Sequence, residues 1–117
     1  MDFSEQVHHI AGGEIQVTEA TSRSLRFSPP YGGRVWDSGF SVAAWLEAEG
    51  RGPELLRGQK VLELGSGAGM VGLCCAMLGA DVTLTDGAES LMPLLDQNLE
   101  LNADAVAERG KEPVIEP

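Results

Sequence analysis

Residues Val61–Gly72, with the sequence VLELGSGAGMVG, decide the fold of this chain. The apolar run breaks into glycines and resumes with Leu73 and Ala76–Leu78, a pattern that predicts a strand, a tight turn and an α-helix. The glycines at positions 65, 67 and 69 leave the turn without β-carbons, so backbone N–H groups at the positive end of the helix can approach a ligand closely. The stretch therefore predicts a site for a nucleotide-like ligand.

A second predicted strand, Val82–Thr85, ends at Asp86, which lies 21 residues after Gly65. In a β-α-β unit, a carboxylate at this position meets the hydroxyls of a bound ribose. The glycine turn and Asp86 together predict a pocket for a nucleoside cofactor.

Two classes of cofactor fit this spacing. Residues 67–72 also satisfy the G-x-G-x-x-G pattern of dinucleotide sites, so NAD, and with it a fragment of an NAD-dependent oxidoreductase, stays open. Glu63 stands two positions before the first glycine, where its carboxylate would repel a pyrophosphate and is costly to bury without a partner. Carboxylates at Glu63 and Asp86 suit S-adenosylmethionine better, because that ligand has ribose hydroxyls, an amino group and a sulfonium but no phosphate. We favour S-adenosylmethionine and keep NAD as the alternative.

The segments around this pocket resemble one family of enzymes. Residues 63–72 and 78–86 look like the seven-β-strand protein-lysine methyltransferases of the methyltransferase family 16 (methyltransferase-like 21) group. Val35–Ser38 resembles the Trp-Asp signature of that group, and Gln97–Asn102 is similar to the helix that follows. The resemblance spans about residues 14–103. It implies an α/β, Rossmann-like class I methyltransferase fold and transfer of a methyl group to a lysine of a protein substrate.

The resemblance also implies cofactor contacts for Trp36, for the turn at Gly65 to Gly67 and, through the ribose, for Asp86. We add Glu63 because of its charge, and Gly69 because a residue without a β-carbon lets the backbone approach a ligand. The predicted cofactor site therefore consists of Trp36, Glu63, Gly65, Ser66, Gly67, Gly69 and Asp86.

Three members of this set have a plainer structural explanation. Trp36 can be an aromatic side chain of the core. Asp86 can cap the turn into Gly87. Glu63 can hydrogen-bond to the backbone at the end of its strand, which would offset the cost of burying its charge.

The substrate side of such an enzyme is missing from this sequence. The family also carries a later tryptophan and an Asp-x-x-Tyr motif, whereas Trp36 and Trp45 are the only tryptophans here and Tyr31 is the only tyrosine. Methylation of lysine needs alignment of the reactants and removal of a proton, and no residue of the chain can be assigned as the base. We expect a fold truncated after the second strand and its helix, with unknown catalytic residues. A noncatalytic binding or interaction module is the alternative.

Composition and charge restrict the partners of the chain. Its 117 residues carry a net charge of −10 and only eight lysines and arginines, so neither nucleic acid nor an anionic membrane is expected to bind. A lysine-bearing protein is compatible with this charge. The longest apolar stretch, Met70–Ala80, is too short to span a bilayer, and the acidic N-terminus lacks the basic start of a signal peptide. We expect a cytoplasmic protein, with the nucleus as the alternative.

The chain divides into a short N-terminal segment and one partial domain. We expect residues 1–13 to be loosely ordered and residues 14–117 to form part of an S-adenosylmethionine-binding domain. Alternating apolar residues predict a β-ribbon over 14–28, and the Rossmann-like part covers about 38–117. Val114 and Ile115 indicate the start of a further strand. Because an incomplete parallel sheet leaves an unpaired edge, we expect the chain to self-associate.

Neither the cysteines nor the histidines indicate a metal site. Cys74 and Cys75 are adjacent on a predicted buried helix, which favours reduced thiols in the core. His8 and His9 have no cysteine or carboxylate cluster at ligand spacing nearby.

Overall fold

The computed structural model describes residues 3–10, 13–20, 41–42, 44–46 and 52–117. In these ranges the chain forms an antiparallel hairpin and a three-stranded parallel sheet flanked by helices. Residues 41–42 and 44–46 are helical. The remaining elements are β1 (Phe3–Ile10), β2 (Gly13–Ala20), α1 (Gly52–Leu56), β3 (Lys60–Glu63), α2 (Met70–Met77), β4 (Asp81–Thr85), a 3-10 turn (Glu89–Leu91), α3 (Met92–Leu101), α4 (Ala103–Ala107) and β5 (Val114–Glu116).

The N-terminal hairpin begins earlier than the sequence predicts. Strands β1 and β2 pair antiparallel from Phe3 opposite Ala20 to Ile10 opposite Gly13, so the segment expected to be loosely ordered contains a strand. The expectation was wrong because β1 has a polar, weakly alternating sequence and is held by backbone pairing with β2. Of the ribbon predicted over 14–28, residues 14–20 form β2, and residues 21–28 lie outside the described residues.

The parallel sheet has the strand order β3-β4-β5. Val61 of β3 pairs with Val82 of β4, as expected for a β-α-β unit built around the glycine turn. On the other side of β4, Leu84 pairs with Ile115. The chain therefore extends one short strand beyond the second strand and its helix, at the position that Val114 and Ile115 indicate.

Helix α2 forms the centre of the hydrophobic core. It packs on the face of the sheet that carries Val82 and Leu84, and it is buried on nearly all sides. Gly72 permits this close packing, because a β-carbon there would lie 2.1 Å from Leu84 Cδ2. Cys74 and Cys75 are buried, as predicted, and no disulfide joins them. Burial, with the negative charge of Glu63, raises the pKa of Cys75 to about 11.

The hairpin docks on α3 through two buried asparagines. Ile15 and Val17 of β2 enter the core, and the backbone of the same strand hydrogen-bonds to the side chains of Asn98 and Asn102. Both asparagines are buried, Asn98 within α3 and Asn102 at its C-cap, four residues further on. The hairpin and the sheet therefore share one core.

The opposite face of the parallel sheet is open. Leu62 of β3 is 63% exposed, and Val114 of β5 is 49% exposed. Both residues pair with Thr83 of β4, so the three side chains lie in one row across the sheet. Leu64, just after β3, is 77% exposed. In the part of the chain that the structure describes, no helix has the length and apolar composition needed to cross a membrane.

Candidate functional site

The candidate site lies where β3 and β4 end side by side. Glu63, the last residue of β3, pairs with Leu84, one residue before the end of β4. The glycine turn follows β3 and Asp86 follows β4. Because the carboxyl ends of parallel strands meet at one edge of a sheet, the two loops form a single crevice there.

The glycine turn adopts a conformation that side chains disfavour. Gly65, Gly67 and Gly69 have φ angles of 69°, 57° and 93°, all in the left-handed region. The turn closes on itself through the N–H of Gly69, which donates to the Ser66 carbonyl at 2.8 Å. Gly69 is also the N-cap of α2 and, as a glycine, has no side chain to cap the helix. The positive end of the α2 dipole therefore lies at the glycine turn.

Ser66 fastens the turn to β4. Its N–H donates to the Thr85 carbonyl at 2.8 Å, and its Oγ accepts from the Thr85 N–H at 3.1 Å. The Thr85 hydroxyl in turn donates to the Glu63 carbonyl at 2.8 Å. Ser66 is buried, so the structure shows it holding the turn in place. Thr85, which the sequence did not single out, takes part in the same network.

Asp86 bridges the two loops. Its Oδ2 accepts from the Gly67 N–H at 2.8 Å, and its Oδ1 accepts from the Ala88 N–H at 2.9 Å. The bond to Ala88 is the turn cap that was the plainer explanation, and the bond to Gly67 adds a link to the glycine turn. Each carboxylate oxygen keeps a further lone pair that can accept from a ligand hydroxyl.

Glu63 carries a buried oxygen that lies next to Gly72, in the first turn of α2. Its Oε1 is buried and has no hydrogen-bond partner. Burial raises the pKa of the Glu63 carboxyl above its usual value. Hydrogen bonding by the Ser66 hydroxyl and the Gly72 N–H lowers this pKa, and the negative charge of Asp86 raises it further. A buried acceptor without a donor is costly, so this oxygen suits a ligand that brings a donor or a positive charge.

The structure brings six of the seven predicted site residues together, namely Glu63, Gly65, Ser66, Gly67, Gly69 and Asp86. Trp36 lies outside the described residues, and its contact with the cofactor stays a prediction. Sequence reasoning missed Asn98, whose side chain donates to the carbonyl of Ala68 in the turn at 2.7 Å. Its only signal was an amide among the leucines of a predicted apolar helix face. Within the described ranges, no group of three or more His, Cys, Asp or Glu residues is placed to hold a metal ion.

The sequence matches a known family along most of its length. The sequence profile of the lysine methyltransferase family matches residues 14–114. The chain is 30% identical to EEF1A lysine methyltransferase 3 of Xenopus tropicalis over 104 residues, which cover 88% of this chain and 43% of that protein. It is 43% identical to protein N-lysine methyltransferase METTL21A of Mus musculus over 68 residues, which cover 58% of this chain and 29% of that protein. The chain thus spans less than half the length of these relatives.

A solved methyltransferase shares the fold. The 16S rRNA N2 G1207 methyltransferase of T. thermophilus, determined in complex with AdoMet and guanosine, superposes with a TM-score of 0.65 at 29% identity. The match covers 86% of this chain and 25% of that protein. It confirms a Rossmann-like methyltransferase fold, here as a partial domain. Because the family profile matches residues 14–114 and the glycine turn follows β3, the chain belongs to the lysine methyltransferase family.

Proposed function

We propose that this chain binds S-adenosylmethionine in the crevice between β3 and β4 and forms the cofactor part of an enzyme that methylates a lysine of a protein. The observation that carries the proposal is the buried, unpartnered Oε1 of Glu63 beside a left-handed glycine turn. The names of the relatives support lysine as the acceptor, and the AdoMet bound to the structural neighbour supports the cofactor.

The residues present fit this cofactor. Oε1 of Glu63 would accept from the ammonium group, and the free lone pairs of Asp86 would accept from the ribose hydroxyls. The turn from Gly65 to Gly69 would position the ligand through its backbone. When bound, S-adenosylmethionine supplies a methyl group activated by a sulfonium. The chain itself contributes alignment, which lowers the barrier of such a displacement by proximity.

A dinucleotide fits the same crevice poorly. Dinucleotide sites use the amides of the glycine turn to bind a pyrophosphate. Here the Gly67 N–H is already bonded to the Asp86 carboxylate, and Glu63 adds a second acidic group nearby. Both carboxylates would repel a pyrophosphate. This argues against NAD, as does membership of a methyltransferase family.

A noncatalytic cofactor-binding module is the second candidate, and one observation favours it. Within the described residues, the acidic groups of the crevice are Glu63 and Asp86, and the proposal uses both for the cofactor. No further group there is placed to accept the proton of a lysine ammonium, which is charged at neutral pH. The relatives are more than twice as long, so we propose that residues beyond those in this chain supply that base.

The proposed partner is a lysine-bearing protein, and the proposed compartment is the cytoplasm or the nucleus. The net charge of −10 supports a partner with a basic surface, because opposite charges steer association. We do not propose nucleic acid as a partner, since the chain has only eight basic residues.

Calorimetric titration of the chain with S-adenosylmethionine, S-adenosylhomocysteine and NAD tests the cofactor. We expect both adenosyl ligands to bind more tightly than NAD, and tighter binding of NAD would overturn the proposal. Incubation with methyl-labelled S-adenosylmethionine and a cell lysate separates the two candidate functions. Labelled lysine supports the enzyme. Cofactor binding without labelling supports the module if it is found both for this chain and for a chain extended to the length of its relatives.

A further inference from the structure

Asn98 is a fully buried polar side chain that joins three parts of the fold. Its Oδ1 accepts from the Thr18 N–H at 2.7 Å. Its Nδ2 donates one hydrogen to the Thr18 carbonyl at 2.9 Å and the other to the Ala68 carbonyl at 2.7 Å. One amide on α3 therefore holds both the N-terminal hairpin and the glycine turn, with both of its amide hydrogens and its oxygen in hydrogen bonds.

The contact with Ala68 lies in the middle of the candidate cofactor site. Ala68 stands between two glycines with left-handed φ angles, so the orientation of its carbonyl sets the direction of the turn. On the other side of the turn, the Gly67 N–H is held by Asp86. Two adjacent residues of the turn are thus held by different parts of the fold, Gly67 by Asp86 after β4 and Ala68 by Asn98 of α3. Because glycine permits many backbone conformations, such fixation is what keeps the turn in one of them.

Asn102, the C-cap residue of the same helix, offers a natural comparison. Its Oδ1 accepts from the Gln16 N–H at 2.8 Å, and its Nδ2 donates to the Gln16 carbonyl at 2.7 Å. Its remaining hydrogen is donated to the backbone carbonyl of Asn98 at 2.7 Å. Asn102 therefore holds β2 with the same chemistry as Asn98, but its third bond goes to the helix instead of the turn.

We propose that Asn98 is a positioning residue of the cofactor site and couples docking of the hairpin to ligand affinity. This inference rests on the proposed function. The backbone N–H and the carbonyl of Thr18 hold the side-chain amide of Asn98 at both ends, which directs the second hydrogen of Nδ2 to Ala68. The hairpin is consequently part of the cofactor-binding unit, although none of its described residues lies in the crevice.

The test compares Asn98→Ala with Asn102→Ala in the full chain. Each variant removes three hydrogen bonds, all buried for Asn98 and one buried and two partly buried for Asn102, so we expect both to lower Tm. Only Asn98→Ala should also weaken binding of S-adenosylhomocysteine at a temperature where both variants are folded, by about fivefold or more. Equal affinities in the two variants would overturn the inference while leaving the proposed function intact. If the unmodified chain fails to bind S-adenosylhomocysteine, the proposed function and this inference both fail.

A second measurement uses the unmodified chain and needs no variant to fold. Amide hydrogen exchange is followed by NMR at Thr18, which is held by Asn98, and at Gln16, which is held by Asn102. Coupling through Asn98 predicts that saturating S-adenosylhomocysteine slows exchange at Thr18 more than at Gln16. An equal effect at both amides, or none at either, contradicts the coupling.

Discussion

The carboxylate of Asp86 accepts a hydrogen bond from the backbone N–H of Gly67 at 2.8 Å, which joins the end of β4 to the turn after β3. Its other oxygen holds the N–H of Ala88 at 2.9 Å. One side chain thus shapes both loops of the crevice. Its removal should affect ligand affinity and stability together, which makes it the most direct probe of the site.

Asp86→Ala should weaken binding of S-adenosylhomocysteine about ten- to hundredfold, because charge-assisted hydrogen bonds of about 1.5–3 kcal/mol would be lost. Stability should also fall, since the N–H groups of Gly67 and Ala88 lose their acceptor. Titration calorimetry and thermal unfolding measure the two effects. Asp86→Asn is the matched control, since it keeps one acceptor oxygen. An unchanged affinity in a folded Asp86→Ala variant would leave Asp86 with its capping role alone.

Glu63 should make the stability of the ligand-free chain depend on pH. Its pKa is raised by burial, so the folded chain binds the proton more tightly than the unfolded chain does. The resulting stability is fully present below the ordinary pKa of glutamate, about 4.3, and is lost as the pH rises through the raised value. Glu63→Gln should therefore unfold at a higher Tm than the unmodified chain at pH 7. It should also bind S-adenosylmethionine about tenfold more weakly, because the charge that attracts the ammonium group is gone.

Thermal unfolding between pH 4 and 8 measures the effect at Glu63. Glu100→Gln, at an exposed position on α3, is the control and should follow the unmodified chain. If Glu63→Gln and Glu100→Gln gave the same pH profile, the buried oxygen of Glu63 would not carry the energetic cost assigned to it.

Gly72→Ala should destabilise the fold by about 1–3 kcal/mol through overpacking. The added β-carbon would lie 2.1 Å from Leu84 Cδ2 and 2.9 Å from Glu63 Oε1. Gly87→Ala is the control, because nothing lies within 4 Å of a β-carbon there. Chemical denaturation should separate the two variants clearly. Similar stabilities would mean that α2 can move away from β4 at little cost.

The chain should self-associate through the open side of its parallel sheet. Leu62 and Leu64 are 63% and 77% exposed there, next to the edge of β3 that pairs with no other strand among the described residues. Leu62→Lys should lower the mass observed by sedimentation velocity at a given concentration, because a charge at a strand edge opposes pairing. Leu55→Lys, at a 45% exposed leucine of α1, should not. A concentration-independent monomer in the unmodified chain would contradict the prediction.

The parts of the structure that follow from local pattern could be predicted from the sequence. The glycine turn is one of them, because left-handed backbone at Gly65 and Gly69 is a requirement that glycine meets locally. The position of Asp86 is another, since a fixed spacing separates the ends of two adjacent parallel strands. The family resemblance then supplied the fold class, which the superposition on a methyltransferase confirms.

Features that depend on distant partners could not be predicted in this way. Strand β1 is ordered by its pairing with β2, and its own sequence lacks a clear alternation. The role of Asn98 depends on Thr18 and Ala68, which lie 80 and 30 residues away along the chain. A sequence shows that an amide lies among leucines, but it does not show which peptide groups will meet it.

The hold of α3 on the hairpin also sets an order of events during synthesis. Thr18 leaves the ribosome 80 residues before Asn98, the side chain that will hold it. At about 5–20 residues per second, this interval is roughly 4–16 s, far longer than the microseconds in which a hairpin forms. Until α2 and β4 have been made, Ile15 and Val17, both fully buried at the end, have no core to enter. Strand β2 is therefore made long before its side chains are sheltered, which gives a chaperone time to bind residues 13–20.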